Sequence, residues 1–157
     1  MAKARYIPGL SGDEEFRAAA ARVVEVRAAE VFDHAHGVLD TDDIERVHDM
    51  RVATRRLRAV LEIFAPCFPG KAHRAALRDV KSLADALGER RDPDVQIATL
   101  EGYAASAPAP DRPGVEAMIA ALRERQAGAN RGLGEALFEM ERGDLRGRLR
   151  ALVEAAA

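Results

Sequence analysis

The sequence is poor in the residues that several kinds of protein need. It has no tryptophan, only 4% aromatic residues and a single cysteine, Cys67, among 157 residues. One cysteine excludes an internal disulfide. No apolar run is long enough for a signal peptide or a membrane span, so we expect a cytoplasmic protein with no membrane partner. Segments in which β-branched and polar residues alternate, the pattern of a strand, are missing as well.

The composition instead favours a helical domain. Hydrophobic residues make up 48% and charged residues 32% of the chain, which is ordinary for a soluble globular protein. A core short of aromatic residues must come from Ala, Leu and Val, which suits closely packed helices. We predict an all-α fold, an antiparallel bundle of about five to six helices. Residues 1–10 are expected to be an irregular lead-in and residues 11–157 a single domain.

Capping and stop signals place the boundaries of these helices. Ser11 and Glu14 form a capping-box pattern, and Gly88 is a natural end for a helix. Asp92 followed by Pro93 is typical of a helix start. The predicted helices span residues 12–38, 43–64, 70–87, 93–105, 114–140 and 144–155.

The second predicted helix has one apolar face and one cationic face, at about 100° per residue. The cationic quadrant holds His48, Arg51, Arg55 and Arg58, and the opposite face holds Met50, Ala53, Leu57, Val60, Leu61 and Phe64. Like charges one turn apart are mildly destabilising. The row of arginines therefore calls for a polyanion, or a set of carboxylates, that faces it.

The third predicted helix repeats this spacing of cations. Lys71, Arg74, Arg78 and Lys81 recur at the same intervals as the four cationic residues of the second helix. Consecutive helices joined by a short loop usually pack antiparallel, so the two rows would flank one groove. Residues 44–81 carry nine Lys or Arg against four acids, a net +5, whereas the whole chain carries −2. An anion-binding surface would therefore be local.

Two stretches resemble the signature elements of a known family. They are Val47–Arg58, which reads VHDMRVATRRLR and continues to Leu61-Glu62-Ile63-Phe64, and Leu87–Val95, which reads LGERRDPDV. Both are similar to the CHAD domain family, the conserved histidine α-helical domain. The resemblance is good over residues 12–105 and loose beyond, so the chain resembles the N-terminal half of a longer domain.

This resemblance implies an all-helical domain that binds inorganic polyphosphate through a basic surface. It also implies a CYTH-type triphosphatase as a plausible partner. Half of a bundle would expose apolar surface, which a homodimer could cover. We expect non-catalytic polyphosphate binding that uses no cofactor and no metal. The expected binding residues are His48, Arg51, Arg55, Arg56, Arg58, Lys71, Arg74, Arg78, Lys81 and Arg91.

Several roles stay open at this point. Arg56 lies about 100° from the neighbouring Arg55 and would be at the rim of the row or face a partner. Arg91 would extend the groove or pair with an acid inside the bundle. His48 would donate to phosphate or be structural. The basic face could equally be solvated or dock an acidic protein.

Other functions rank lower on the residues available. Nucleic-acid binding usually brings aromatic residues for stacking, and few lie near the basic rows. His34 and His36 point about 200° apart on a helix and do not form a ready metal pair. With His73, they are expected to be ordinary surface histidines. Cys67 reads as a buried turn thiol rather than a nucleophile, and no carboxylate cluster suited to Mg²⁺ favours an enzyme.

Overall fold

Five α-helices make up the part of the chain that this computed structural model describes, residues 3–156. They are α1 (Phe16–Asp33), α2 (Ile44–Ile63), α3 (Gly70–Ala104), α4 (Arg112–Arg142) and α5 (Leu145–Ala156). A 3₁₀ helix over Ala65–Cys67 joins α2 to α3. No strand occurs among these residues, which confirms the all-α prediction. None of these helices combines the length and the apolar character that crossing a membrane requires.

The main core is formed by residues of all five helices. The apolar face predicted for α2 is buried there, with Met50, Leu57 and Leu61 at most 1% exposed. Leu149 and Leu152 of α5 are buried in the same cluster. Since burying a leucine side chain contributes about 2 kcal/mol, this face fixes the orientation of α2. Its cationic face must then point away from the core.

A second, smaller apolar cluster lies between α3 and α4. It contains Ile97 of α3 and Val115 and Ile119 of α4, with Leu100 and Leu122 packed against it. It is separate from the main core. The far end of α3 and the near end of α4 therefore form a helical hairpin with its own apolar contact.

The predicted break between the third and fourth helices is wrong. α3 is continuous from Gly70 to Ala104, so Gly88 does not end a helix and Asp92 does not cap one. Pro93 lies inside α3, although proline removes a helical hydrogen bond. The turn around it is stabilised by burial of Pro93 itself and by an ion pair between Arg90 and Asp94.

The predicted capping box before α1 is also wrong. Glu15 precedes the helix and makes no side-chain capping bond. Glu14 instead accepts a hydrogen bond from Arg22 Nη2 at 2.6 Å, and Arg22 Nη1 donates to the carbonyl of Pro8 at 3.2 Å. α1 ends at Asp33, and the following turn contains Gly37 at φ +70°, where glycine is favoured.

A buried polar network connects α3 to α4 and to the loop before α2. Arg90 and Asp94 have fully buried side chains and form an ion pair one turn apart. Arg90 Nε also donates to Asn130 Oδ1 at 3.0 Å, and Gln126 Nε2 donates to Asp94 Oδ1 at 2.6 Å. Asn130 Nδ2 donates to the carbonyl of Leu39 at 3.0 Å. Because buried charges need partners, this network fixes the register of the two helices.

Removing one member of the Arg90–Asp94 ion pair should destabilise the protein. We expect Asp94→Ala to lower the free energy of unfolding by about 3 kcal/mol or more, because Arg90 would stay buried without its counter-charge. Urea denaturation measures this loss. Asp92→Ala, an exposed change on the same helix, should cost no more than about 0.5 kcal/mol. Equal losses in the two variants would contradict the role of the network.

Candidate polyanion-binding surface

The helices that carry the two predicted basic rows pack antiparallel. Arg91, in the second half of α3, donates from Nη1 to the carbonyl of Ile44 at the start of α2 at 3.1 Å. His73, near the start of α3, donates from Nε2 to the carbonyl of Leu61 near the end of α2 at 2.7 Å. These two contacts at opposite ends place the rows on neighbouring helices that run in opposite directions.

The two rows meet at one carboxylate. Glu62 Oε1 lies 3.2 Å from Arg58 Nε and 3.0 Å from Lys81 Nζ, and each of the three side chains is 42% exposed. The hydrogen bond from Lys81, followed by that from Arg58, holds the pKa of Glu62 below its usual range. At neutral pH, Glu62 is therefore an anion that neutralises part of the positive charge of both rows.

Four other cations of the rows make neither an ion pair nor a side-chain hydrogen bond within the described chain. They are Arg51, Arg55, Lys71 and Arg74. Arg55, Lys71 and Arg74 are exposed, and Arg51 is half-buried. The first turn of α3 contains Lys71 and no acid. Because a helix N-terminus is itself electropositive, the start of α3 concentrates positive charge from two sources.

Arg78 and Arg91, also predicted to bind, lie in different surroundings. The Arg78 side chain is 75% exposed, and its nearest carboxylate is that of Asp79 at 3.9 Å. The Arg91 side chain is only 16% exposed, and its Nη2 lies 3.7 Å from Glu45 Oε1. With its bond to Ile44, Arg91 holds the start of α2 against α3, whereas Arg78 extends into solvent. Arg56 is half-buried on α2.

His48 lies at the other end of the α2 row, beside two acids. Ligand atoms of Glu45, His48 and Asp49 lie within 4.8 Å of one another, because Glu45 lies three residues before His48 and four before Asp49, one helical turn away. These three residues could together hold a cation. His34 and His36 are nearby and, with Glu45 and Asp49, line a cleft of about 250 Å³. Negative charge therefore borders the basic row at this end of α2.

His73 is buried, so the prediction of a surface histidine is wrong. Its ring stacks on Phe68 with centroids 5.9 Å apart, and its bond to Leu61 requires a proton on Nε2. The signal for this burial was its spacing: Ala76 and Val80, three and seven residues on, are also fully buried. His73 fastens the start of α3 to α2. Cys67, just before α3, is buried as predicted.

A comparison with protein families decides what this helical domain is. The CHAD domain profile matches residues 15–157. The chain belongs to the CHAD domain family. The sequence resemblance is good over residues 12–105, and the family match continues beyond them through α4 and α5. No curated protein matched the chain.

The contact of Glu62 with two cations has a measurable consequence. In a Lys81→Met variant, we expect the pKa of Glu62 to rise towards its usual range, because the larger cause of its depression is removed. Arg58→Met should raise it less. Nuclear magnetic resonance titration of the Glu62 carboxyl carbon measures both changes.

The lowered pKa of Glu62 determines how its contribution to stability changes with pH. Wild-type protein should gain stability from Glu62 above the pKa of the unfolded chain and lose it as the pH falls through the folded-state pKa. A Glu62 pKa that is the same in wild type and both variants would contradict the two contacts.

Proposed function

We propose that this CHAD domain binds inorganic polyphosphate, or a polyanion of similar charge spacing, without catalysing a reaction on it. The observation that carries the proposal is a group of cations, on adjacent antiparallel helices, that the described chain leaves without counter-charges: Arg51, Arg55, Lys71 and Arg74. Guanidinium forks and ammonium groups are the side chains best suited to phosphate. Membership of the family supports this function, because the resemblance implies polyphosphate binding.

The distribution of these cations favours a chain-like ligand. Arg51 and Arg55 are one turn apart on α2, about 6 Å along the axis, whereas Lys71 and Arg74 lie at the start of α3. Three of the four are exposed rather than gathered in a closed pocket. A linear polymer with charge on every unit can contact several such groups at once, which a single phosphate cannot.

Glu62 makes it less favourable for a ligand to bind all the cations of the two rows at once. Arg58 and Lys81 already contact its carboxylate at 3.2 and 3.0 Å. A polyphosphate would have to draw both cations away from Glu62 or tolerate its charge nearby. These two residues therefore contribute less to binding than the unpaired cations, and Glu62 opposes it.

The same arrangement supports binding rather than catalysis. Phosphoryl transfer commonly uses carboxylates that hold metal ions beside the phosphate, and a group that positions the nucleophile. Within the described chain, no carboxylate forms an ion pair with Arg51, Arg55, Lys71 or Arg74, and Glu62 is held by two cations. The surface around these four cations thus offers groups that hold phosphate, whereas the acids that could hold a cation, Glu45 and Asp49, lie beside His48 at the other end of the α2 row.

Charge reversal on α2 tests the proposal directly. We expect Arg51→Glu/Arg55→Glu to weaken binding of long-chain polyphosphate by about tenfold or more, because each replaced cation removes a phosphate contact and adds a repulsion. Isothermal titration calorimetry measures the affinity. The matched control is Arg125→Glu/Arg131→Glu, which makes the same change in net charge at exposed positions of α4.

Salt dependence and competition complete this experiment. With about four phosphate contacts, wild-type affinity should fall on the order of 10² between about 50 and 200 mM salt. Equal losses in the two double variants would assign binding to net charge alone and overturn the assigned surface. Absence of binding by folded wild-type protein would overturn the function and favour docking of an acidic protein. Preferential binding of DNA over polyphosphate would assign a different ligand.

Neutralising Glu62 should have the opposite effect. We expect Glu62→Gln to strengthen polyphosphate binding by roughly threefold to fivefold, because it removes one negative charge from the meeting point of the two rows. The same calorimetric titration measures the gain. Glu124→Gln, at an exposed position of α4, serves as the control and should leave the affinity nearly unchanged. Weaker binding by Glu62→Gln would show that Glu62 positions Arg58 and Lys81 for the ligand.

The resemblance also implies a CYTH-type triphosphatase as a partner, which we propose as a second protein to test for association. The location of the protein in the cytoplasm is likewise a proposal.

A further inference from the structure

The outward-facing stripe of α3 is divided into a basic and an acidic block. The stripe holds Arg74, Arg78 and Lys81, followed by Asp85, Glu89 and Asp92. Both blocks have the spacing i, i+4, i+7, and at about 100° per residue all six positions fall within about 80° of the helix circumference. Five of these residues are exposed, and Lys81 is half-buried. We call this set the α3 charge stripe.

The α3 charge stripe is largely unpaired within residues 3–156. No ion pair in residues 3–156 involves Arg74, Asp85, Glu89 or Asp92, and Arg78 has only the 3.9 Å approach to Asp79. Lys81, the cation nearest the acidic block, contacts Glu62 instead.

Neighbours inside each block also repel. Arg74 and Arg78 are four residues apart, as are Asp85 and Glu89, and like charges at this spacing destabilise a helix. Arg78 and Glu89 lie about 16 Å apart along the axis, too far to pair within one helix. Both blocks therefore favour a partner of opposite charge.

The order of the charges makes the stripe complementary to itself. In an antiparallel pair of identical helices, residues that face each other have numbers with a constant sum. That sum is 166 for Arg74 with Asp92 and for Lys81 with Asp85, and 167 for Arg78 with Glu89. One register thus brings all three pairs together. Because a twofold axis repeats each pair, both copies would be matched along the whole stripe.

The surroundings of the stripe leave room for this contact. α2 lies along one side, through the Lys81–Glu62 contact, and both α4 and α5 lie along the other, where Arg148 of α5 lies 2.5 Å from Asp79. The twofold axis would pass close to Ser82, a small and exposed residue. The long side chain nearest the crossing is Lys81, which this register places opposite Asp85 of the second copy.

We propose that the α3 charge stripe is an interface between two copies of this chain, with α3 packed antiparallel against its counterpart. The proposal does not depend on polyphosphate binding, since the acidic block is not part of that surface. The contact is mainly ionic, so it should be reversible and strongest at low salt, where the screening length is about 30 Å at 0.01 M. Polyphosphate would compete with the second copy for Arg74, Arg78 and Lys81.

Charge exchange across the interface is the decisive experiment. Sedimentation velocity of the full chain at low salt should show a monomer–dimer equilibrium for wild type. Arg78→Glu and Glu89→Arg should each weaken the dimer by about tenfold or more, because each variant places like charges opposite one another. The double variant Arg78→Glu/Glu89→Arg should restore it, since both pairs re-form with their signs exchanged. Circular dichroism checks that every variant is folded.

The outcomes separate this interface from the alternatives. The control Glu124→Arg, on α4, should dimerise as wild type does. A wild type that stays monomeric at low salt, single variants that dimerise like wild type, or a folded double variant that stays monomeric would each overturn the proposal. Glu89→Arg also keeps every cation of the polyanion surface. If it loses the dimer and still binds polyphosphate, the two surfaces are distinguished, and failure of polyphosphate binding alone leaves the interface standing.

Discussion

Burial of the apolar face of α2 is the constraint on which the rest of this structure depends. Met50, Leu57 and Leu61 are sealed against the other helices of the main core. The opposite face, with Arg51 and Arg55, is therefore directed away from the core, although like charges one turn apart are unfavourable on an isolated helix. The hydrophobic term is the larger one: about 2 kcal/mol for each buried side chain against a few tenths for each repulsion.

The sequence predicted α2 well because the local and tertiary signals agree there. Its bounds, 43–64 by prediction and Ile44–Ile63 in the structure, differ by one residue at each end. In α3 the signals conflict. Gly88 and Pro93 are local helix breakers, yet the helix continues because Pro93 is buried and the Arg90–Asp94 pair is hydrogen-bonded to Asn130 and Gln126 of α4. Those partners are more than thirty residues away and cannot be read from the motif.

The partners of the surface cations could not be predicted from the sequence either. The repeated spacing of cations predicted two rows on neighbouring helices, but it did not predict that Glu62 would join Arg58 to Lys81. Nor did it show that Arg91 would bond to the backbone of α2. Such contacts depend on the relative height of two antiparallel helices, which the His73–Leu61 bond and side-chain packing decide. The residue types of a site were thus predictable, and the counter-charges of each residue were not.

Polyphosphate binding and the proposed dimer contact share the cations of α3, whereas the cations of α2 belong to polyphosphate binding alone. A second copy facing the α3 charge stripe would neutralise Arg74, Arg78 and Lys81 with carboxylates. Arg51 and Arg55 lie on another helix and would keep their charge. A polyanion could then begin on α2 of a dimer but could extend to α3 only by displacing the acidic block of the other copy. Salt screens both the dimer contact and the polyanion contact, so it does not by itself favour either one. Ligand length does, because a longer polyanion brings more charges to compete with the acidic block of the other copy.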